Sequence, residues 1–108
     1  MLNIIFKDES LEEIYLYDTT KDKRYRKLCR NKSFVMAFQR VIRTMEGVEN
    51  TSKLSDFSYL HYEKLKHRGQ SSVRIKNDMV ERLLFTETED GLEIELIEID
   101  RNHYGKKK

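Results

Sequence analysis

The sequence predicts a single α+β domain, in which two N-terminal helices pack on a small antiparallel sheet in the order β-α-α-β-β-β-β. Apolar residues with helical periodicity occur in the first half of the chain, and short alternating segments occupy the second half. Asp90-Gly91 joins two of these segments in the manner of a hairpin. The 108 residues suffice for one domain, residues 1–108, and leave no length for a second.

The first half is predicted as one strand and two helices. The apolar run over residues 2–6 is typical of a strand. Ser10 and Glu13 have the spacing of a capping box, which predicts a short helix that begins at Ser10. A second, strongly amphipathic helix is predicted to end at Gly47. Its apolar stripe consists of Phe34, Phe38, Val41, Ile42 and Met45.

Four strands are predicted after a polar loop over residues 48–58. They are residues 59–65, residues 71–76, residues 82–87 and a final segment that follows Asp90-Gly91. The Asp-Gly pair favours a type I′ turn. The last strand alternates until Leu96 and Ile97, two consecutive apolar residues that indicate a bulge or a strand covered on both faces.

Charge is strongly segregated although the net charge is only +2. Residues 1–20 contain one base and five acids, residues 21–45 contain nine bases and one acid, and residues 85–100 contain seven acids and no base. The basic blocks suit a polyanion such as nucleic acid, although the solvated side of a helix or strand is the commoner explanation for any single block.

The sequence gives little support for a disulfide, a zinc site or a nucleotide-binding site. The single cysteine, Cys29, cannot form an internal disulfide and is interpreted as a small packed thiol. The three histidines lack the spacing of a zinc site, and no nucleotide-binding motif occurs. We therefore expect no cofactor and no metal. An acid at position 8 and the lack of a long apolar run predict a protein of the reducing cytoplasm without membrane contact.

A cationic set along the predicted strands has the chemistry of metal-free RNA cleavage. That reaction needs a group that removes the ribose 2′-OH proton, cations that stabilise the phosphorane, and an acid that protonates the leaving oxygen. The alternative is an ordinary basic sheet surface. The set consists of His61, Lys64, Lys66, Arg68, Arg74, Lys76, Arg82, His103 and Tyr104.

Three segments of the chain resemble the RelE/ParE superfamily of bacterial toxins, in particular its HigB-like branch. They read LHYEKLKHRGQSSVRI over residues 60–75, RLLF over residues 82–85 and IELIEIDRNHYG over residues 94–105. The N-terminal strand and two helices also match in order and length, so the resemblance covers nearly the whole chain and implies a RelE-like fold.

The resemblance implies the toxin of a type II toxin–antitoxin system, a ribosome-dependent mRNA endonuclease that works without metal and inhibits translation. The partners it implies are the ribosome, mRNA and an antitoxin of the helix-turn-helix, HigA-like kind. Two alternatives stay open: a ParE-like inhibitor of DNA gyrase that cleaves nothing, and an inactive toxin fold that only binds its antitoxin. The catalytic positions carried over from the family are Lys66, Arg74, Arg82, His103, Tyr104 and His61.

Chemistry then suggests a role for each cation. Lys66 and Arg74 are expected to hold the scissile phosphate, Arg82 to stabilise the transition state, and His103 or Tyr104 to transfer a proton. The RNA-docking candidates are Arg24, Arg26, Lys27, Arg30, Lys64 and Arg68, and folding is expected to tolerate replacement of the first three.

The chain departs from the family pattern at two places: His67 replaces a glycine, and Glu81 replaces the tyrosine before Arg82. A carboxylate at position 81 is expected to pair with Arg82 and weaken phosphate binding.

Overall fold

The computed structural model describes residues 1–65 and 69–101. Within these ranges the chain forms two α-helices, three short 3-10 segments and five strands. The elements are β1 (Asn3–Phe6), α1 (Glu9–Tyr17), α2 (Lys32–Glu46), β2 (Glu63–Leu65), β3 (Gln70–Arg74), β4 (Arg82–Glu87) and β5 (Glu93–Asp100). The strands belong to one sheet in the order β1-β5-β4-β3-β2, which confirms the α+β class.

The sheet is mixed, so the expectation of a purely antiparallel sheet is wrong at one strand. β2 to β5 form an antiparallel meander, but β1 lies parallel to β5, with Asn3 beside Glu93 and Phe6 beside Leu96. Parallel partners need a long connection, and nearly the whole domain separates these two strands. Nothing in the apolar run of β1 specifies which edge of the sheet it joins.

α1 begins at Glu9 and is capped by Asp8 rather than by Ser10. The Asp8 carboxylate accepts hydrogen bonds from the backbone N–H and the hydroxyl of Ser10 at 3.0 and 2.7 Å. A carboxylate is a strong acceptor at the positive end of a helix. The predicted capping box is therefore wrong, and Glu13 instead accepts a hydrogen bond from Thr20 at 2.5 Å.

α2 confirms the strongly amphipathic helix and its apolar stripe. All five stripe residues are at most 1% exposed. Asn31 caps the helix by accepting hydrogen bonds from the N–H groups of Ser33 and Phe34. The stripe packs with buried side chains of one sheet face, among them Val73, Leu83 and Phe85, in a single core. Each fully buried side chain of this size contributes about 1.5–3 kcal/mol.

The strand predicted over residues 59–65 is shorter in the structure. Ser58–Leu60 form a 3-10 turn, and only Glu63–Leu65 form a strand. Leu60 is fully buried, as expected for an apolar residue of the core, but it lies in a helical turn and not in a strand. The turn ends at His61, which adopts the left-handed conformation with φ 47° and ψ 48°.

The connection from β4 to β5 is not a type I′ turn. That turn needs positive φ at both central residues, whereas here Gly91 has φ 71° and Asp90 does not have positive φ. The Gly91 N–H donates to the Thr88 carbonyl at 3.0 Å within a longer loop.

The bulge in β5 is confirmed. Leu84 lies beside Glu98 and Phe85 lies beside Leu96, so Ile97 is an extra residue without a partner position on β4.

The sheet has two chemically different faces. Leu83 and Phe85 belong to the core shared with α2, whereas Leu84 lies outside that core and points to the opposite side. We call this opposite side the open face. Residues that lie directly opposite each other on neighbouring strands point to the same face. Register therefore places one row of charged residues across the open face, formed by Arg74, Arg82 and Asp100.

Candidate nucleic-acid interface

Residues 22–31 form irregular helical turns that direct two apolar side chains inward. Tyr25 and Leu28 are 2% and 6% exposed. The Arg26 N–H donates to the Asp22 carbonyl at 2.9 Å and the Cys29 N–H to the Tyr25 carbonyl at 3.1 Å, both at helical spacing. Four exposed bases share the other side of these turns, and we call them the basic ridge: Lys23, Arg26, Lys27 and Arg30. Among residues 1–65 and 69–101, none of these bases has an ion-pair partner.

Two contacts attach the basic ridge to the C-terminal end of β5. The buried backbone N–H of Ile99 donates to the Tyr25 hydroxyl at 3.1 Å. Arg101, which directly follows β5, donates to the backbone carbonyl of Arg24 at 3.2 Å. An open groove of about 430 Å³ separates the two segments and is lined by Arg24, Tyr25, Glu98, Ile99, Asp100 and Arg101. The turns that carry the basic ridge are therefore attached to the C-terminal end of β5.

Arg24 is held by the protein, unlike its neighbours on the basic ridge. Its guanidinium lies 2.6 Å from carboxylate oxygens of both Asp8 and Asp22. It also lies over the Tyr25 ring, 4.7 Å from the ring centroid. The hydrogen bonds from Arg24 hold the pKa of Asp22 at about 2. Arg24 thus links the cap of α1 to the turns of the basic ridge, and the expectation that folding tolerates its replacement stays a prediction.

Arg82 is buried on the open face, with 4% of the residue exposed. Its Nε donates to the Ser72 hydroxyl at 2.9 Å, and its Nη2 donates to the His61 carbonyl at 2.5 Å. An ion pair joins its Nη2 to Glu63 at 3.7 Å, rather than to the expected Glu81. The Glu81 Oε1 is buried and has no hydrogen-bond partner among residues 1–65 and 69–101. This burial does not match the expectation that the Arg82 guanidinium faces a scissile phosphate.

Arg74 lies beside Arg82 and is only partly buried. Its Nη1 donates to the Asn77 carbonyl at 3.2 Å. Its Nε is buried and has no hydrogen-bond partner in the part of the chain that the structure describes. Neighbouring strands are about 4.8 Å apart, so the backbone of Arg74 lies roughly 10 Å from that of Asp100, two strands away. Arg74 is thus on the same end of the sheet as Arg101 and the basic ridge.

Lys64 lies away from this end of the sheet. It lines an open groove of about 780 Å³ together with three acids, Glu87, Glu89 and Asp90. Its strand ends beside the β2–β3 turn, where Leu65 pairs with Gln70. Arg74 follows Gln70 by four residues, a distance of about 14 Å along β3. The structure therefore separates Lys64 from Arg74 and surrounds it with negative charge.

Four of the predicted site residues lie outside the described residues: Lys66, Arg68, His103 and Tyr104. Of the remaining predicted residues, the structure places Arg74, Arg82 and the backbone of His61 toward one end of the sheet. The turns that contain Arg24, Arg26, Lys27 and Arg30 contact β5 at that same end. The His61 side chain is exposed there.

Other chemistry is sparse in residues 1–65 and 69–101. No group of three or more His, Cys, Asp or Glu side chains in these ranges is arranged to hold a metal ion. Burial raises the pKa of the Cys29 thiol above its ordinary value, which lowers its thiolate fraction and hence its reactivity. None of the helices in the same ranges combines the length and the apolar character that a bilayer crossing requires.

Sequence reasoning missed three residues that build this surface: Lys23, Tyr25 and Arg101. Tyr25 and Leu28 are three residues apart within a basic segment, a spacing that marks an inward-facing pair in a helical turn. That spacing predicts which neighbouring bases point outward. No comparable signal exists for Arg101, because its contact with the Arg24 carbonyl joins residues that are 77 positions apart.

Comparisons with models of protein families, with curated proteins and with solved structures found no match for this chain.

Proposed function

We propose that this protein binds RNA and acts as the toxin of a type II toxin–antitoxin system, a ribosome-dependent mRNA endonuclease similar to the HigB-like branch of the RelE/ParE superfamily. The supporting observation is that the basic ridge, Arg101 and Arg74 lie at one end of the sheet. The ridge bases form no ion pairs within the described part of the chain, so they remain available to phosphates. Binding of this kind releases counterions and is independent of base sequence.

The proposed division of labour follows from exposure. The exposed ridge would hold the RNA backbone or ribosomal RNA, and the partly exposed Arg74 would contact the scissile phosphate. The exposed imidazole of His61 would be one candidate for proton transfer, beside the family-derived His103 and Tyr104. Arg82 is assigned no direct contact with RNA, because its guanidinium is buried and its hydrogen bonds go to the protein.

The burial of Arg82 favours a second candidate function. If the Arg82 guanidinium stays bonded to Ser72 and to the His61 carbonyl, the site has one cation fewer to stabilise a phosphorane. Such a protein would bind its target or its antitoxin without cleaving RNA, as an inactive toxin fold or as a ParE-like inhibitor of gyrase would.

Expression without an antitoxin separates these functions. We expect growth to stop together with incorporation of labelled methionine, while DNA supercoiling persists. Purified protein is then expected to cut mRNA on programmed ribosomes and to leave 2′,3′-cyclic phosphate ends. Loss of supercoiling with continued protein synthesis would support the gyrase inhibitor, and RNA binding without cleavage would support the inactive fold.

Two triple variants test the location of the RNA-binding surface. The first replaces Arg26, Lys27 and Arg30 with Gln. The control replaces three other exposed bases with Gln, namely Lys7, Arg40 and Lys53. Both variants lose the same charge. Three lost phosphate contacts are expected to reduce the slope of log K against log salt by about 2 for single-stranded RNA. The ridge variant should show this reduction and the control should keep the wild-type slope. Equal slopes in the two variants would contradict the proposed surface.

A further inference from the structure

The Arg82 side chain connects three elements across the open face. Arg82 lies on β4, and its guanidinium donates hydrogen bonds to the Ser72 hydroxyl on β3 and to the His61 carbonyl before β2. It also forms an ion pair with Glu63 on β2. The Arg82 side chain is 5% exposed, whereas that of Glu63 is 51% exposed. A buried guanidinium is stable only when its N–H groups have acceptors, so these contacts are a requirement of its burial.

His61 occupies a backbone conformation that needs support. Its φ of 47° lies in the left-handed region, which is unfavourable for residues with a Cβ atom. Its N–H donates to the Ser58 carbonyl at 3.2 Å, and its carbonyl accepts from Arg82. Hydrogen bonds on both sides of the residue thus fix this corner, while the imidazole stays exposed.

The corner lies toward the same end of the sheet as Arg74. Glu63 pairs with Ser72 in the antiparallel β2–β3 ladder. His61 precedes Glu63 by two residues and Arg74 follows Ser72 by two residues, so both lie beyond the same end of that pairing. Holding the corner in place therefore determines where the imidazole lies relative to the Arg74 guanidinium.

We propose that Arg82 is a positioning residue for His61: it fixes the left-handed corner and thereby presents the imidazole at the end of the sheet beside Arg74. The part of this role that concerns RNA rests on the proposed function. The positioning itself does not, and it is measured without RNA.

The test follows the imidazole ¹H–¹³C resonance of His61 by NMR. The signal is assigned by its loss in His61→Asn, since Asn tolerates the left-handed region. Arg82→Met removes the bond to the His61 carbonyl and is expected to shift the resonance. Arg82→Lys retains one donor group and should shift it in the same direction by a smaller amount. Ser72→Ala is the matched control, because it removes another partner of the guanidinium and leaves the carbonyl bond; it should cause little change.

The outcomes separate positioning from a general structural role. A purely structural arginine would lower the melting temperature in Arg82→Lys while the His61 signal stayed at its wild-type position, and this result would overturn the proposal. If Arg82→Met does not fold, Arg82→Lys measured against Ser72→Ala decides the matter. A shift in Arg82→Lys no larger than that in Ser72→Ala would also refute it.

RNA affinity and ribosomal cleavage of the same variants report on the proposed function separately. If the His61 signal moves in Arg82→Lys but neither Arg82→Lys nor His61→Asn changes affinity or cleavage, positioning is correct and the role of His61 toward RNA is wrong. If cleavage falls while the signal is unchanged, positioning is wrong and the proposed enzyme is supported.

Discussion

Replacement of Tyr25 by Phe should loosen the attachment of the basic ridge to the sheet. The hydroxyl of Tyr25 accepts the hydrogen bond of the Ile99 N–H in a buried setting. The aromatic ring is retained in the variant, so its burial changes little. Burial raises the pKa of the Tyr25 hydroxyl, which keeps it neutral over the working pH range.

The magnitude follows from the partner that remains. Without the hydroxyl, the Ile99 N–H has no acceptor in a region where Tyr25 is only 2% exposed. A buried donor left unsatisfied costs about 1–3 kcal/mol. For a domain of this size, about 1 kcal/mol lowers the melting temperature by roughly 4–8 °C. We expect Tyr25→Phe to be destabilised by about 2 kcal/mol and to melt about 8–16 °C lower.

Thermal and urea unfolding test this expectation, with Tyr17→Phe as the matched control. Tyr17 is 70% exposed, so the same removal of a hydroxyl should change stability by less than about 0.5 kcal/mol. Amide hydrogen exchange gives a local measurement, in which the Ile99 N–H should exchange much faster in Tyr25→Phe. Equal melting temperatures for the two variants would refute the argument that this hydroxyl joins the basic ridge to β5.

Two further predictions concern glycine and acid stability. Gly91 and Gly69 both have positive φ, at 71° and 64°. A Cβ at Gly91 would lie 2.9 Å from the Thr51 hydroxyl, whereas a Cβ at Gly69 would have none of the described residues within 4 Å. Gly91→Ala should therefore lower the free energy of unfolding more than Gly69→Ala, which carries only the conformational cost of about 1 kcal/mol; equal losses in urea unfolding would contradict this steric argument. The hydrogen bonds of Arg24 lower the pKa of Asp22 from 3.8 to about 2, so their contribution to stability is complete above about pH 4 and is lost as the pH falls toward 2. Arg24→Met should reduce the dependence of stability on pH in that interval, and an unchanged profile between pH 4 and pH 2 would count against the ion pair.

The sequence predicts those elements whose pattern reflects burial on one side. α2 is predicted correctly because its stripe faces a single core. The bulge at Ile97 is predicted because two consecutive apolar residues break a strict alternation. The parallel partner of β1 and the cap at Asp8 are not predicted, since each depends on a contact that the local pattern does not encode. At the N-terminus of α1, three polar residues compete for the capping position over residues 8–10.

The basic character of the candidate site is predictable, but the function of each cation is not. Arg24 and Arg26 are separated by one residue in the same basic block. The first is held by two carboxylates and the second is exposed on the ridge. The difference follows from Tyr25, which turns inward and so places its two neighbours on different sides of the helical turns. A count of charges treats these two residues as equivalent.

The burial of Arg82 is consistent with the apolar residues that follow it in β4. Leu83, Leu84 and Phe85 form an unbroken apolar run in β4. Successive residues of a strand point to opposite faces, so such a run indicates burial on both faces rather than on one. Leu84, on the open face, is only 1% exposed. Arg82 shares that face with Leu84, and a charged group beside a buried leucine has to find partners within the protein. Ser72 and the His61 carbonyl meet this requirement, so the parity of β4 already predicts that Arg82 binds the protein rather than a phosphate.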